Sequence, residues 1–568
     1  MANISSKTSR AIFCIILLLL MTQNSQLTHD FLQPKNEPTN TNTNSAISPD
    51  SITIRLANNT EMANITFSYT AASNSQQITP DNITLIKDIR NSGSSYPHAF
   101  SVMGNELLFA AHDGSLGSEL WKTDGTTNGT VLVKDINTIS GAGSSIMYPT
   151  SIGNTVFFRA TDASNGAELW KTDGTTNGTV LVKDINPGPD GSGITEMVAV
   201  DAKIFFKAND GVNGDELWVS DGTSTGTLMV KNIRAGAAGS TIAFMTAYNG
   251  KAYFRALDND HGSEVWMSDG TPNGTEMMID IRPGSAGNSM GGMEVAGDKL
   301  YFSARGASGR ALFVSNGTGN GTQQITETGL TSINNFEGAG DKLFFTADYN
   351  SSGIELWVTN GTYNGTKMFD LVPGSNSSSP KVMTYNPYSG NVYFYAKIPS
   401  LNYTTAYEFW QSDGTENGTK VVKPGTAKDG WRAKNTAMVS SGQFMYYIIM
   451  DFEHTNRNIY RTDGTVNGTV KLGLLPNGNY LDHNGDDDEL IAFGNTLFAN
   501  MDNGGVGQEL YGIANSTGIA ADPTWSAHPN LPSGLSINTS TGEISGTPIM
   551  VQNSTQYTVW ANTSSESA

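Results

Sequence analysis

A twelve-residue motif recurs along most of the chain at a nearly constant spacing. The segment ELWKTDGTTNGT occupies Glu119–Thr130 and is repeated without change at Glu168–Thr179. In eight copies the Asp or Asn before the first Gly falls at positions 124, 173, 221, 269, 316, 360, 413 and 463, and a ninth, degraded copy begins at Glu509. A fixed period of about 48 residues is the signature of a repeat architecture. It argues against a series of unrelated domains.

One repeat unit divides into four short β-rich runs. In the second unit these are Val180–Ile185, Ile194–Val200, Lys203–Ala208 and Glu216–Ser220, each bounded by Gly, Asp, Asn or Pro. The Asp-Gly and Asn-Gly pairs suit tight bends. Four strands in about 40–50 residues is the size of a propeller blade, whereas a sandwich domain needs roughly twice that length. The repeat therefore predicts an all-β propeller.

The connections predict how the ring is built and closed. The longest connection follows each VLVKDI-type run, so we expect that run to be the outermost strand of its blade. Under this division Thr84–Ile89 is an orphan outer strand, and the last unit has no outer strand of its own. We predict that Thr84–Ile89 closes the ring by pairing near Glu509–Tyr511, which removes open sheet edges. The count is nine blades, or eight if the irregular segment Lys423–Met450 does not form a full blade. Six Trp share one repeat position and are expected in the core: Trp121, Trp170, Trp218, Trp266, Trp357 and Trp410.

The N-terminus predicts export. Lys7 and Arg10 precede an apolar run, Ala11–Met21, which has the form of a secretory signal and is too short for a spanning helix of about 20 residues. The predicted organisation is a signal peptide at 1–24, a disordered linker at 25–50, a short β segment or hairpin at 51–80, a propeller at 81–515 and a tail domain at 516–568. We expect an extracellular or cell-surface protein.

Composition limits the partners. Only 15% of residues are charged, and 53 acids against 33 bases give a net charge of -20, which argues against nucleic acid and anionic membranes as partners. The single cysteine, Cys14, excludes an intrachain disulfide and a cysteine-based metal site. We expect a monomeric ring, with membrane contact limited to the signal segment or to a C-terminal anchor beyond this sequence.

Two resemblances carry these expectations further. From about Thr84 to Tyr511 the copies resemble the ELWxxDGTxxGT repeat family of secreted, propeller-like proteins, a resemblance that implies export and no common reaction. The segment Leu531–Pro548, LPSGLSINTSTGEISGTP, resembles the signature of the immunoglobulin-like domain of prokaryotic surface adhesins.

The tail is only about half of an immunoglobulin-like sandwich of ~100 residues. Two explanations stay open: the sequence is a fragment that stops before a further strand, or the tail borrows strands from elsewhere in the chain. The segment Ser51–Ala71 is a candidate hairpin for that purpose, and a separate N-terminal module is the alternative.

Acidic loops suggest calcium. An Asp precedes the repeated Glu by six or seven residues in most copies, and the densest clusters are 258–264 and 482–489. Oxygen-rich, Gly-containing loops suit Ca2+. The alternative is that Asp supports a hairpin turn while Glu binds loop amides. The calcium candidates are Asp258, Asp260, Glu264, Asp482, Asp486 and Asp488.

Asn-x-Ser/Thr sequences are abundant. Those within the repeated turn are explained by the need for Asn-Gly in the bend. The glycosylation candidates outside it are Asn58, Asn64, Asn82, Asn402, Asn538 and Asn553.

No catalytic motif stands in a suitable context, and the seven His form no ligand spacing. The sequence therefore favours a secreted or cell-surface, non-catalytic binding or adhesion protein that presents a propeller to extracellular carbohydrate or to a surface protein. One alternative is a secreted glycan-active hydrolase or lyase that uses carboxylates at the propeller mouth. Another is a structural surface-layer component.

Overall fold

The computed structural model describes residues 83–514, with gaps at 286, 307, 328, 398–406, 423–437, 451–456, 476–489, 495 and 503–505, and the strand segments 52–58, 61–67, 524–528, 535–537, 544–546 and 557–562. The predicted signal peptide and linker lie outside these residues. In this part of the chain no helix is long and apolar enough to cross a membrane. The chain divides into two compact units, one of 76–519 and one of 1–75 with 520–568.

Strands make up both units. In chain order they are β1 (Ile52–Asn58), β2 (Glu61–Phe67), β3 (Ile83–Lys87), β4 (His98–Met103), β5 (Glu106–His112), β6 (Ser118–Thr123), β7 (Val131–Lys134), β8 (Met147–Ile152), β9 (Thr155–Asp162), β10 (Gly166–Thr172), β11 (Val180–Lys183), β12 (Thr195–Val200), β13 (Lys203–Asn209), β14 (Asp215–Ser220), β15 (Leu228–Lys231), β16 (Ala243–Tyr248), β17 (Lys251–Leu257), β18 (Ser263–Ser268), β19 (Glu276–Ile279), β20 (Gly292–Ala296), β21 (Lys299–Gly306), β22 (Gly309–Ser315), β23 (Gln323–Gln324), β24 (Leu330–Ala339), β25 (Lys342–Tyr349), β26 (Ile354–Thr359), β27 (Lys367–Phe369), β28 (Lys381–Asn386), β29 (Asn391–Lys397), β30 (Tyr407–Ser412), β31 (Lys420–Val421), β32 (Met438–Ser441), β33 (Phe444–Met450), β34 (Arg457–Thr462), β35 (Val470–Leu475), β36 (Leu490–Phe493), β37 (Thr496–Asp502), β38 (Gln508–Ala514), β39 (Thr524–His528), β40 (Leu535–Ile537), β41 (Ile544–Gly546) and β42 (Tyr557–Asn562).

The larger unit is a β-propeller of nine four-stranded blades. Blade 1 is β4–β7, each further blade takes the next four strands, and blade 8 is β32–β35. Within a blade consecutive strands pair antiparallel, as where Val200 faces Lys203 and Phe206 faces Trp218. Nine such sheets are formed by residues 83–514, which confirms the count of nine. The alternative of eight was wrong, because the irregular region contributes β32 and β33 to a complete sheet.

The ring closes as predicted. Blade 9 has the order β3-β38-β37-β36, and β3 pairs antiparallel with β38, with Ile83 opposite Ile513 and Leu85 opposite Tyr511. Ile86 and Phe498 of this blade share one core cluster with Phe109 of blade 1. The first strand of the propeller therefore joins the two ends of the ring.

The core lies in the seams between blades. Successive side chains of a strand point to opposite faces of its sheet, so Ile204 and Phe206 pack with Phe157 of blade 2, whereas Phe205 packs with Phe254 of blade 4. This explains why the second strands are apolar at consecutive positions. The repeated Trp belongs to the same seams, as predicted; Trp218 is 6% exposed.

Lysines join neighbouring blades at the rim. Lys134 of blade 1 donates from Nζ to the Thr179 carbonyl of blade 2 at 2.8 Å, and its Nζ lies 6.0 Å from the centroid of the Trp170 ring. Lys183 repeats this arrangement on Thr227 and Trp218. The Lys of the VLVKDI-type strand therefore links neighbouring blades.

The smaller unit contains a four-stranded sheet of order β1-β2-β42-β39 and the hairpin β40-β41. Strands β1 and β2 form an antiparallel hairpin, and β2 runs parallel to β42 with Ile65 opposite Tyr557. The N-terminal hairpin therefore contributes two strands to the sheet that contains the tail strands. The domain boundaries proposed from the sequence stay predictions.

Candidate ligand-binding face of the propeller

The repeated DGTxNGT segment is a self-contained turn. Asp124 Oδ1 accepts the amide of Thr126 at 2.9 Å and its hydroxyl at 2.7 Å, and Thr126 Oγ1 accepts the Gly129 amide at 2.9 Å. The Thr130 hydroxyl is buried and donates to the Thr126 carbonyl at 2.7 Å. A Cβ on Gly129 would lie 2.0 Å from Asp124 Oδ1. Asp124, Thr126 and Thr130 form their hydrogen bonds within the turn, so we do not place the functional site in this motif.

The repeated Glu of ELW is fully buried and binds backbone amides. Glu168 Oε2 accepts the Ile185 amide at 3.0 Å, and its Oε1 accepts the Asn186 amide at 3.3 Å. The equivalent bonds join Glu119 to Ile136, Glu216 to Ile233, Glu264 to Ile281, Glu355 to Leu371 and Glu509 to Ile89. Burial raises the pKa of Glu119, Glu168 and Glu264 to about 7. In these six copies the Glu holds the loop that follows the outer strand.

The structure gives three of the calcium candidates separate roles. Asp258 Oδ1 accepts the amides of Asp260 and His261 at 3.1 and 2.7 Å, its Oδ2 lies 2.8 Å from His261 Nδ1, and the Asp260 side chain is exposed. Glu264 instead accepts bonds from the Ile281 amide and from Asn288 Nδ2. No group of three or more His, Cys, Asp or Glu within the described ranges is placed to hold a metal ion. Asp482, Asp486 and Asp488 lie outside those ranges, so calcium binding stays a prediction.

The glycosylation candidates are largely outside the described residues. Asn58 ends β1 and Asn64 lies in β2, opposite Glu61 and Arg55 respectively. Asn82, Asn402, Asn538 and Asn553 fall in segments that the structure does not describe. Their modification stays a prediction.

The two ends of the ring differ in what they present. Because strands within a blade alternate in direction, the loops between second and third strands share one end with the loops that join blades. We call this end the loop face. Contacts between the two sets of loops support the assignment, since the amides of Ser144 and Ser192 donate to the carbonyls of Ser118 and Ala167 at 2.9 and 3.1 Å. The DGTxNGT turns lie at the opposite end.

Backbone strain is concentrated where innermost strands start at the loop face. Of seventeen non-Gly residues with positive φ in the described chain, twelve lie at two positions of this entrance. One position is a bulge inside the innermost strand, where the ladder register shifts, and the other lies three residues earlier. The bulge residues are Ala99, Tyr148, Glu196, Phe244, Asn335 and Val382, and the earlier ones are Tyr96, Ser145, Thr241, Ser289, Ser332 and Ser379. Strained backbone of this kind is concentrated at ligand-binding positions in proteins, which marks the mouth of the ring as the candidate site.

At this mouth three consecutive blades carry a cation at the same strand position. The fifth residue of the second strand is Arg159, Lys207 or Arg255 in blades 2, 3 and 4. Arg159 Cζ lies 5.3 Å from the ring centroid of Tyr148, and Arg255 Cζ lies 5.1 Å from that of Phe244. Sequence reasoning missed these residues, although alignment of the repeat copies by their strands reveals them.

Two carboxylates stand in the next sector. Glu294 of β20 and Glu337 of β24 occupy the same position of neighbouring innermost strands, facing Tyr301 and Phe344. Glu337 Oε1 accepts the Tyr385 amide at 2.6 Å. Burial, with a contribution from Glu294, raises the pKa of Glu337 to about 7, and burial also raises the pKa of Glu294. Neither Glu belongs to the repeated motif, so the pair could not be predicted from the repeat.

Comparison with known proteins agrees with the architecture. A family described as "Outer membrane protein assembly factor BamB" matches residues 105–362, and one described as "Putative Ig domain" matches residues 506–568, so that the second match begins at the edge of β38. Among curated protein sequences, none matches the chain.

Solved structures similar to the chain include hydrolases and a domain of a protease. They include a puromycin hydrolase (12% identity, 65% of this chain and 60% of that chain, TM-score 0.35). Oligopeptidase B from Leishmania major aligns at 12% identity over 64% of this chain and 54% of its own, with a TM-score of 0.37. The propeller domain of the Trilobed protease from Pyrococcus furiosus aligns at 14% identity over 60% of this chain and 100% of its own, with a TM-score of 0.32. This chain matches little more than half of the two hydrolases. What the fold and the family matches establish together is a nine-bladed β-propeller followed by an immunoglobulin-like domain.

Proposed function

We propose that this protein is a secreted or cell-surface binding protein whose propeller contacts carbohydrate or protein at the loop face. The observation that carries the proposal is the concentration of strained, non-Gly residues at the mouth of the ring. Export is supported by the predicted signal at 1–24 and by the resemblance to the ELWxxDGTxxGT family. The match of the tail to an immunoglobulin-like family supports a role at a surface.

Aromatic side chains at the same mouth suit such contacts. Tyr148 and Phe244 occupy bulge positions, and Tyr96, three residues before the first bulge, is 50% exposed. Aromatic rings offer a large apolar face, and Tyr adds a hydroxyl, which is why they are enriched at binding surfaces. A binding role needs no catalytic group, and the sequence shows no catalytic motif.

The test is a glycan array with the full chain, followed by affinity measurements on two matched variants. Tyr96→Ala removes an exposed ring from the loop face, and Tyr388→Ala removes one of similar exposure (42%) from a turn at the opposite end. We expect Tyr96→Ala to weaken binding about tenfold, as for an aromatic contact residue, and Tyr388→Ala to leave it unchanged. Equal effects of the two substitutions would contradict binding at the loop face.

A second candidate function, glycan hydrolysis or elimination, is favoured by Glu294 and Glu337. General acid/base catalysis on sugars uses a carboxyl group with a raised pKa together with a second carboxylate. Incubation of the full chain with the polysaccharides that it retains separates the two functions. Retention without released product supports binding, whereas product that disappears in Glu337→Gln supports the hydrolase or lyase.

A further inference from the structure

Three consecutive blades carry a cation at a strand position that is uncharged in the other six. The cations are Arg159, Lys207 and Arg255 of blades 2, 3 and 4. The same position holds Ala110, Ser303, Thr346, Tyr395, Ile448 and Asn500 in the remaining blades. Blades with small or apolar residues there form the same four-stranded sheet. The fold therefore does not require the cations.

The cations lie in the seams between blades, beside the mouth. Arg159 Nη1 donates to the Ile194 carbonyl of blade 3 at 3.3 Å, and Arg255 Nη1 donates to the Met290 carbonyl of blade 5 at 3.4 Å. Both carbonyls precede the innermost strand of the next blade. Lys207 points to the same side of its sheet as Phe205, toward the seam between blades 3 and 4.

Both guanidinium groups keep unused donors. An Arg side chain has five N–H donors, and the Nε of both Arg159 and Arg255 is buried without a partner. Arg159 Nη2 lies 2.6 Å from Met147 Sδ. Arg255 Nη2 makes no hydrogen bond within the described ranges.

Their charge is poorly balanced by the protein. Neither Arg forms an ion pair in the described part of the chain, and Lys207 has only a 3.3 Å contact with Asp215. The one carboxylate close to Arg255 is Glu196, whose Oε2 accepts the Met245 amide at 3.3 Å. Half-buried cations that lack hydrogen-bond acceptors lower the stability of the fold, unless a bound anion supplies the missing acceptors.

We propose that the mouth of blades 2 to 4 binds an acidic oligosaccharide, with successive uronate carboxylates held by Arg159, Lys207 and Arg255 and sugar rings lying against Tyr148 and Phe244. The planar donor fork of Arg matches a carboxylate, and the adjacent rings supply the apolar face. This inference rests on the proposed binding function and names its ligand class.

The experiment measures binding of the full chain to oligogalacturonate and oligomannuronate, and to oligogalacturonate whose carboxylates are fully methyl-esterified. Two variants copy residues found at the same position in other blades: Arg159→Ala, as at Ala110, and Arg255→Ser, as at Ser303. Lys207→Ala is compared with Lys122→Ala, a lysine at the opposite end with the same kind of partner and similar exposure, 20% for Lys207 and 23% for Lys122. Thermal unfolding of each variant shows that the ring stays folded.

The wild type is expected to bind at least one uronate oligomer about tenfold or more tightly than the esterified one, and this preference should be lost in the double variant Arg159→Ala/Arg255→Ser. Added salt should weaken the binding of the acidic oligomer and leave the binding of the esterified oligomer unchanged. Lys207→Ala should weaken the binding of the acidic oligomer, whereas Lys122→Ala should leave this binding unchanged.

Three results would overturn the inference: no binding of either uronate, equal affinity for charged and esterified oligomers, or an unaltered preference in a folded double variant. Failure of the wider proposal is distinguishable. If the protein binds ligands at the loop face without preferring acidic ones, Tyr96→Ala still weakens the binding of neutral glycans or of protein ligands. If Tyr96→Ala also has no effect on binding, both the proposed binding function and the inference about acidic saccharides fail.

Discussion

At the scale of single residues, the repeated motif is a structural device. The side chains of Asp173, Thr175 and Thr179 form hydrogen bonds within the turn that starts at Asp173, and Gly178 leaves room for the Asp173 carboxylate. The sequence predicted a tight bend from Asp-Gly and Asn-Gly. It also left open that the repeated Glu binds loop amides, which the structure shows. The strained bulge residues could not be predicted, because residues such as Tyr148 and Phe244 normally avoid positive φ.

Gly178→Ala tests the turn. The added Cβ would lie 2.0 Å from Asp173 Oδ1, so the carboxylate must move and lose its bonds. We expect a loss of about 1–3 kcal/mol in the free energy of unfolding, as for other overpacked sites. Asn177→Ala, at an exposed neighbour, should change stability by less than about 0.5 kcal/mol. The measurement is chemical denaturation of both variants, and equal stability of the two would refute the role of this Gly.

At the scale of elements, blades are held together by side chains that reach across the seams and into the loops. The apolar runs of the second strands predicted burial on both faces, and the structure places Phe205 and Phe206 in different seams. The cationic sector was not predicted, because it becomes visible only when strand registers align Arg159, Lys207 and Arg255. The buried Glu near the start of six of the third strands makes the stability of these elements depend on pH.

Stability should fall as the pH rises from 4.5 to 7. Burial raises the pKa of Glu119, Glu168 and Glu264 from 4.5 to about 7. The folded state therefore holds protons that the unfolded state has lost, and this contribution is present below pH 4.5 and lost as the pH approaches 7. Each residue contributes up to about 3 kcal/mol to the change. At the acid end, hydrogen bonds from the Thr126 hydroxyl and amide lower the pKa of Asp124 below 3.8, so stability also falls at low pH.

Thermal midpoints between pH 3 and pH 8 measure this dependence. The maximum should lie near pH 4–5, and Glu168→Gln should make the decline toward pH 7 shallower. Exchange of the exposed Glu276 for Gln provides the control and should leave the profile unchanged. A midpoint that rises steadily from pH 4.5 to pH 7 would show that the buried Glu residues do not control the profile.

At the scale of the whole molecule, the repeat fixes a ring and the leftover strand closes it. The pairing of β3 with β38 was predicted by counting strands. An unpaired outer strand at the start of the repeats and a missing outer strand in the last unit together complete one sheet. What counting could not predict is how the ring departs from its ninefold repetition. Blades 2 to 4 carry a cation such as Arg255 at the fifth position of the second strand, whereas blades 5 and 6 carry a carboxylate such as Glu337 on the innermost strand. That asymmetry carries the proposals about ligands, since a ring of identical blades has no preferred site.

The most direct test of the closed nine-bladed ring is an experimental density map of the full chain viewed along the ring axis. It should show nine four-stranded sheets, with Ile83–Lys87 hydrogen-bonded to Gln508–Ala514 in the ninth. A ring of eight sheets, or a map in which Ile83–Lys87 pairs with any other strand, would contradict this account.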